Sequence, residues 1–409
     1  MNPDEKKSTA LVPIEGSRLP VPQPPVRESY WAGVSARYAM ISRALIVILL
    51  LFAVLFLLVF SRVFTYDSLF SFVKDMQTVS SFVPSGYDTI YAMYEGESVS
   101  AFYRGSVAFV GKGGVEIYAP DGTRLLDVTR EFSNPRVVAS EKYLLAFDHG
   151  GKAFSVTNSY GELLRGESEF PILGATVSND GYFALITTAK ETISRVVLYD
   201  NNFHLIRGID RNSATVGAAF FADGSLAIFG ATAAEGSVFA TVNVYDEKLE
   251  NVAYSASFAN EMPLSVAVSE ADTLFLLTNK ALRACDSDCD VESKVELTGT
   301  VKELYLGANG AVLVQETDAV TATNGIVAWD PDGSIVYEGT YKGDVYGAAA
   351  GKNEAFLLCA GSVMRISTKD GAVQTLPVET GATSILAVGA GQLRVVYVAK
   401  AVFVEFENS

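Results

Sequence analysis

The sequence predicts an all-β protein: an eight-bladed β-propeller preceded by one transmembrane helix and a short stalk helix. Three observations carry this reading. A tight turn rich in Pro, Asp, Asn and Gly returns roughly every 40 residues. Each interval holds one strand that is nearly all apolar, and the last interval stops one strand short.

The turn occurs as Pro120-Asp121-Gly122, Ser159-Tyr160-Gly161, Asp200-Asn201-Asn202 and Asp246-Glu247-Lys248. It returns as Asp286-Ser287-Asp288, Pro331-Asp332-Gly333 and Lys369-Asp370-Gly371, with steps between central residues of 39, 41, 46, 40, 45 and 38. These residue types suit hairpin turns, which need preset or positive φ. Ahead of each turn lies a third strand, from VEIY at 115–118 to VFVEF at 402–406. Ahead of that lies a second strand: 107–110, 143–147, 183–186, 226–229, 274–277, 312–314, 356–358 and 395–398. A strand covered on both faces reads as an unbroken apolar run. Four strands at this period are the signature of propeller blades.

The chain ends fix the closure. The eighth unit stops after its third strand, 402–406, and has no fourth strand of its own. Residues 87–94, YDTIYAMY, stand alone after Pro84-Ser85-Gly86 and are expected to complete that last blade. Closure removes a sheet edge that would otherwise invite aggregation. A seven-bladed ring is the alternative if one unit is irregular. A β-helix would have shorter coils, and two sandwiches would not explain the missing strand.

With turns such as Ala119-Pro120-Asp121-Gly122-Thr123 and Ala328-Trp329-Asp330-Pro331-Asp332-Gly333, residues 87–409 resemble an uncharacterised family of bacterial single-span membrane proteins with an extracytoplasmic propeller. The blades are also similar to the propeller of the outer-membrane assembly lipoprotein and to quinoprotein propellers. These motifs imply a fold and not an activity. Quinoprotein blades repeat a docking Trp, whereas this chain has only Trp31 and Trp329. No quinone is therefore expected, and no other cofactor.

Ahead of the propeller, residues 44–60 read ALIVILLLFAVLFLLVF, bracketed by Arg43 and Arg62. A helix needs roughly 20 apolar residues to cross a bilayer core. With its flanks this run predicts a transmembrane helix over 41–63. It is too long for a signal-peptide core, and no small-residue cleavage site follows it. Residues 1–40, with Pro13, Pro20, Pro22, Pro24 and Pro25 among polar residues, read as a disordered Pro-rich tail. Residues 64–86 read as an amphipathic stalk, with Leu69, Val73 and Met76 at helical spacing. Arg27, Arg37 and Arg43 before the span, against Arg62 and Lys74 after it, place the tail in the cytoplasm and the propeller outside. The expected location is a single-pass protein of the cell membrane.

The chain of 409 residues carries a net charge of −16. Residues 1–62 hold seven Lys/Arg and four Asp/Glu, which leaves −19 on the rest. Such a body repels nucleic acid. Three constellations could carry chemistry. Asp148 and His149 are neighbours in a turn, open to an acid–base role or to a purely structural one. Asp286, Asp288 and Asp290 alternate at a hairpin tip, but lack the Gly and the distant Glu of a calcium loop. Cys285 and Cys289 flank the same tip and are disulfide candidates if they face each other across the hairpin. No catalytic or metal-ligating residue is assigned. The expectation is a non-catalytic scaffold that binds an envelope protein or cell-wall polymer. The alternatives are a sensor coupling the propeller to the tail, or a hydrolase at the channel mouth.

Overall fold

Eight four-stranded antiparallel sheets follow one another along the chain in a computed structural model. It describes residues 26–59, 89–91, 98–119, 122–234 and 236–406. The chain divides into two units, Met1–Phe82 and Val83–Ser409.

In the first unit one α-helix runs from Val26 to Val59. It begins directly after Pro24-Pro25, residues that a helix interior excludes. It therefore takes in residues 26–40, which the sequence reading placed in the tail. Leu45 to Phe52 are all exposed. Among the described residues no helix is long and apolar enough to cross a membrane. The predicted span is thus present as helix to Val59 without a crossing being shown. Its last four residues, the stalk 64–86 and residues 1–25 lie outside the described residues.

In the second unit, blades 1 to 7 each use four consecutive strands, beginning with Val99–Tyr103, Pro135–Ala139, Ile172–Val177, Ala214–Phe220, Pro263–Val268, Thr300–Gly307 and Val345–Gly351. Blade 8 uses Ser384–Gly389, Gln392–Val396 and Lys400–Glu405, and takes its fourth strand, Thr89–Tyr91, from the start of the propeller. The register pairs Thr89 with Val402, Ile90 with Ala401 and Tyr91 with Lys400. First strands neighbour one another round the ring, including those of blades 8 and 1. Ser100 Oγ lies 3.4 Å from Ser384 Oγ at that joint.

The core lies between blades. Second strands such as Leu144–Asp148, Phe183–Thr187 and Leu274–Thr278 are buried along their whole length. Their alternating faces pack against the blade on either side, which is why they carry no polar face. Six of the eight expected second strands fall inside observed ones, while 143–147 and 395–398 overrun Leu144–Asp148 and Gln392–Val396 by one and two residues.

In blades 1, 3, 4, 5 and 6 the repeating turn is closed by a residue of positive φ and followed by a bulge in the fourth strand. Gly122, Phe203, Leu249, Cys289 and Gly333 hold that position, with φ of 81°, 64°, 57°, 70° and 84°. Side chains of the non-glycine residues point inward: Leu249 and Cys289 are buried in interblade clusters. Their packing offsets a backbone cost of about 1–2 kcal/mol for a left-handed non-glycine residue.

Candidate functional site

The ring has two ends. In four-stranded antiparallel blades, first strands begin at the end where second strands finish and third strands start. The turns between third and fourth strands lie at the other end, where Asp200, Asp246, Asp286, Asp332 and Asp370 concentrate negative charge.

Most of the chemistry read from sequence resolves into structure. Asp148 Oδ1 accepts from the backbone amides of Ser133 and Asn134 at 3.0 and 2.6 Å, so it braces the loop entering blade 2. His149 beside it is exposed. His204 is at the acidic end, with Nδ1 3.6 Å from Asp200 Oδ2. Asp286 Oδ1 accepts from the amides of Asp288 and Asp290, so the hairpin tip spends this carboxylate on its own turn. Among the described residues no group of three His, Cys, Asp or Glu could hold a metal.

Cys285 and Cys289 are free thiols, both buried. The bulge between Ala284 and Cys285 pairs Cys285 with Val291, not with Cys289. Cys289 sits in the turn and faces the interblade core. Burial, and then the neighbouring Cys289, push the Cys285 thiol up to about 12. Burial, with nearby Asp286, pushes Cys289 up to about 11. Thiols held this far from ionisation are inert packing groups.

The end where first strands begin is different. In blades 3 to 7 the first strand carries a bulge near its start, between Ile172 and Gly174, Thr215 and Gly217, Pro263 and Ser265, Val301 and Glu303, and Val345 and Gly347. A bulge leaves one residue out of the ladder and re-aims its side chain. The five residues set free are Leu173, Val216, Leu264, Lys302 and Tyr346. The four apolar ones are 40%, 41%, 49% and 49% exposed. Five consecutive blades thus present one side chain each at the same register position, forming an arc round the channel mouth. Met262 adds exposed apolar surface beside Leu264.

In blade 4 the closeness of the neighbouring first strand requires a small residue behind the arc. A Cβ on Gly217 would stand 2.7 Å from Val266 Cγ1 in blade 5. The sequence signal for the arc is a large residue followed by a small one at the start of a first strand: Leu173-Gly174, Val216-Gly217, Leu264-Ser265 and Tyr346-Gly347. Reading those strands only as apolar passes over it.

Beneath the arc, blade 5 holds a buried ion pair. Arg283 donates from Nη1 to Glu261 Oε2 at 2.8 Å and from Nη2 to Oε1 at 2.7 Å. Thr278 Oγ1 donates to the same carboxylate at 2.5 Å. The guanidinium lies over the Phe258 ring at 4.2 Å. Glu261 directly precedes Met262, so this network fixes the loop that presents the arc in blade 5. Desolvation raises the Glu261 carboxyl, but the hydrogen bonds from Arg283 and Thr278 together hold it below the usual range.

Comparison with known proteins adds a family and a fold. The family of unknown function DUF5711 matches residues 88–398. No curated protein sequence matches the chain. Among solved structures, the C-terminal WD40 domain of Sif2 is similar at 9% identity and a TM-score of 0.54, over 79% of this chain and 100% of that one. BamB from Moraxella catarrhalis is similar at 14% identity and 0.51, over 79% and 100%. The WD40 domain of SCAP from fission yeast is similar at 11% identity and 0.51, over 78% and 97%. At these identities the likeness is one of fold.

Proposed function

We propose that this chain, which belongs to the DUF5711 family of unknown function, is a membrane-anchored, non-catalytic binding module whose docking face is the channel mouth where the first strands begin. The partner is an envelope protein. The helix Val26–Val59 carries the apolar run from Ala44 onward and tethers the propeller on the outer side of the membrane.

The observation that carries this reading is the arc of Leu173, Val216, Leu264 and Tyr346. Isolated exposed apolar side chains are ordinary, but apolar side chains gathered at one register position of successive blades mark a contact surface. Their burial against a partner would supply a hydrophobic centre, and the polar rim around them would supply register. Catalysis is disfavoured by the same geometry. Asp148 is committed to backbone amides, and the two histidines lie at opposite ends of the ring.

The test is a double variant, Leu173→Asp with Leu264→Asp, compared with Val291→Asp at the acidic end. All three residues are exposed, so thermal stability should change little. The partner that co-purifies with the wild type from mild detergent should be lost from the double variant and kept by Val291→Asp. Retention of that same partner by the double variant would overturn the proposal.

A further inference from the structure

We infer that the channel wall just inside the mouth is a receptor for one basic side chain, a Lys or Arg of the docked partner, and that Glu303 is the group that receives it. This rests on the mouth being the docking face.

Glu303 stands immediately after the bulge in blade 6. The same position holds the small residues Gly174, Gly217, Ser265 and Gly347 in blades 3, 4, 5 and 7. Blade 6 alone among these five places a charged chain there. Glu303 shares its face of the strand with Tyr305, which packs into the cluster between blades 6 and 7. Leu304 and Leu306, on the other face, pack toward blade 5. The carboxylate therefore lies in the inner wall on the side of blade 7. The first strand there offers Gly347 and Ala348 and no charge.

Among the described residues Glu303 has no hydrogen bond and no ion pair. The adjacent cation is already committed, since Lys302 Nζ is 3.0 Å from Glu316 Oε1. Partial burial pushes the Glu303 carboxyl up, with no opposing partner. A carboxylate that is partly desolvated and unpaired gains most from an incoming cation with hydrogen-bond donors.

The donor set selects the kind of cation. A hard divalent ion needs several oxygen ligands, and Glu303 stands without two further acidic or His/Cys neighbours. An ammonium or guanidinium group needs one carboxylate and an apolar sleeve for its stem. Leu264 and Tyr346, on the blades flanking Lys302, provide such a sleeve at the entrance. The −19 of residues 63–409 draws a basic segment toward the ring. The partner chemistry that fits is an extended peptide with one Lys or Arg between apolar residues.

The probe is a set of fluorescein-labelled peptides, Leu-Ser-Leu-X-Leu-Ser-Leu, with X as Lys, norleucine or Glu, titrated against the full chain in detergent. The Lys peptide is expected to bind at least about tenfold tighter than the norleucine peptide, as one charge-assisted contact provides. Glu303→Gln should erase that ratio, by weakening the Lys peptide and not by weakening the norleucine peptide. Glu303→Ser, which restores the residue type of blade 5, should do the same. Equal binding of Lys and norleucine peptides, or a Lys preference that survives both variants, overturns the inference. If no peptide binds but the native partner is still lost from the mouth variant, the basic-residue receptor fails while the docking face stands. If the mouth variant also keeps its partner, both fail.

Discussion

Ending the chain at residue 399 is expected to abolish the cooperative fold of all eight blades, not merely to fray the last one. The cut removes Lys400–Glu405, the strand that pairs on one side with Gln392–Val396 and on the other with Thr89–Tyr91. It also removes Ala401 and Phe406, both buried. The remaining ring would hold two open sheet edges and an unpaired first strand. An open array of repeats unfolds piecemeal, whereas a closed ring couples its first and last units. A gentler variant reads the same joint. Ile90 is 1% exposed and packs with Val107, Phe109 and Val396 across blades 1 and 8. Ile90→Ala should lower the unfolding free energy by about 2–5 kcal/mol. Urea unfolding followed by circular dichroism and by tyrosine fluorescence should show one shifted transition. A truncated chain that still unfolds in one sharp step would mean that the closing strand is dispensable.

Arg283→Met should destabilise the propeller by about 3–5 kcal/mol, because it strands the buried Glu261 carboxylate without its partner. The double variant Glu261→Met with Arg283→Met should recover most of that loss, since replacing a whole buried pair by apolar groups is often close to neutral. The pH dependence has a definite sign. Glu261 is held below its ordinary carboxyl range in the folded state. Its contribution is therefore complete above the unfolded carboxyl range and is lost as pH falls through the folded value. In Arg283→Met desolvation dominates and the Glu261 carboxyl shifts up, so mild acid should stabilise that variant relative to neutral pH. Chemical denaturation between pH 4 and pH 8 checks both slopes. A variant that loses stability with acid in parallel with the wild type would show that Glu261 does not depend on Arg283.

Much of the ring was legible because its devices are local. A preset-φ turn, an apolar second strand and a missing last strand each leave a mark that needs no knowledge of neighbours. The site was less legible because a bulge is a relation between two strands. Leu173 and Leu185 are both leucines in apolar strands, yet one is expelled to the mouth and the other is fully buried. Only pairing register separates them. The bulge that sets Cys285 opposite Val291 leaves no mark in the sequence either. Glu303 stands out only once the bulges align it with three glycines and a serine. The start of the helix at Val26 is hard to read in the sequence, because Pro24-Pro25 and the polar residues around them resemble tail. Past the prolines, Trp31, Ala32 and the residues that follow can continue a helix without a break.

Site-specific photocrosslinking in native membranes tests the docking face most directly. A benzophenone amino acid would be placed singly at Leu173, Leu264 or Tyr346 on the mouth, and at Asp288 or Asp332 on the acidic end. One adduct of the same mass from all three mouth positions, with none from the other two, is the expected result. Adducts that arise from the acidic end and not from the mouth would contradict it.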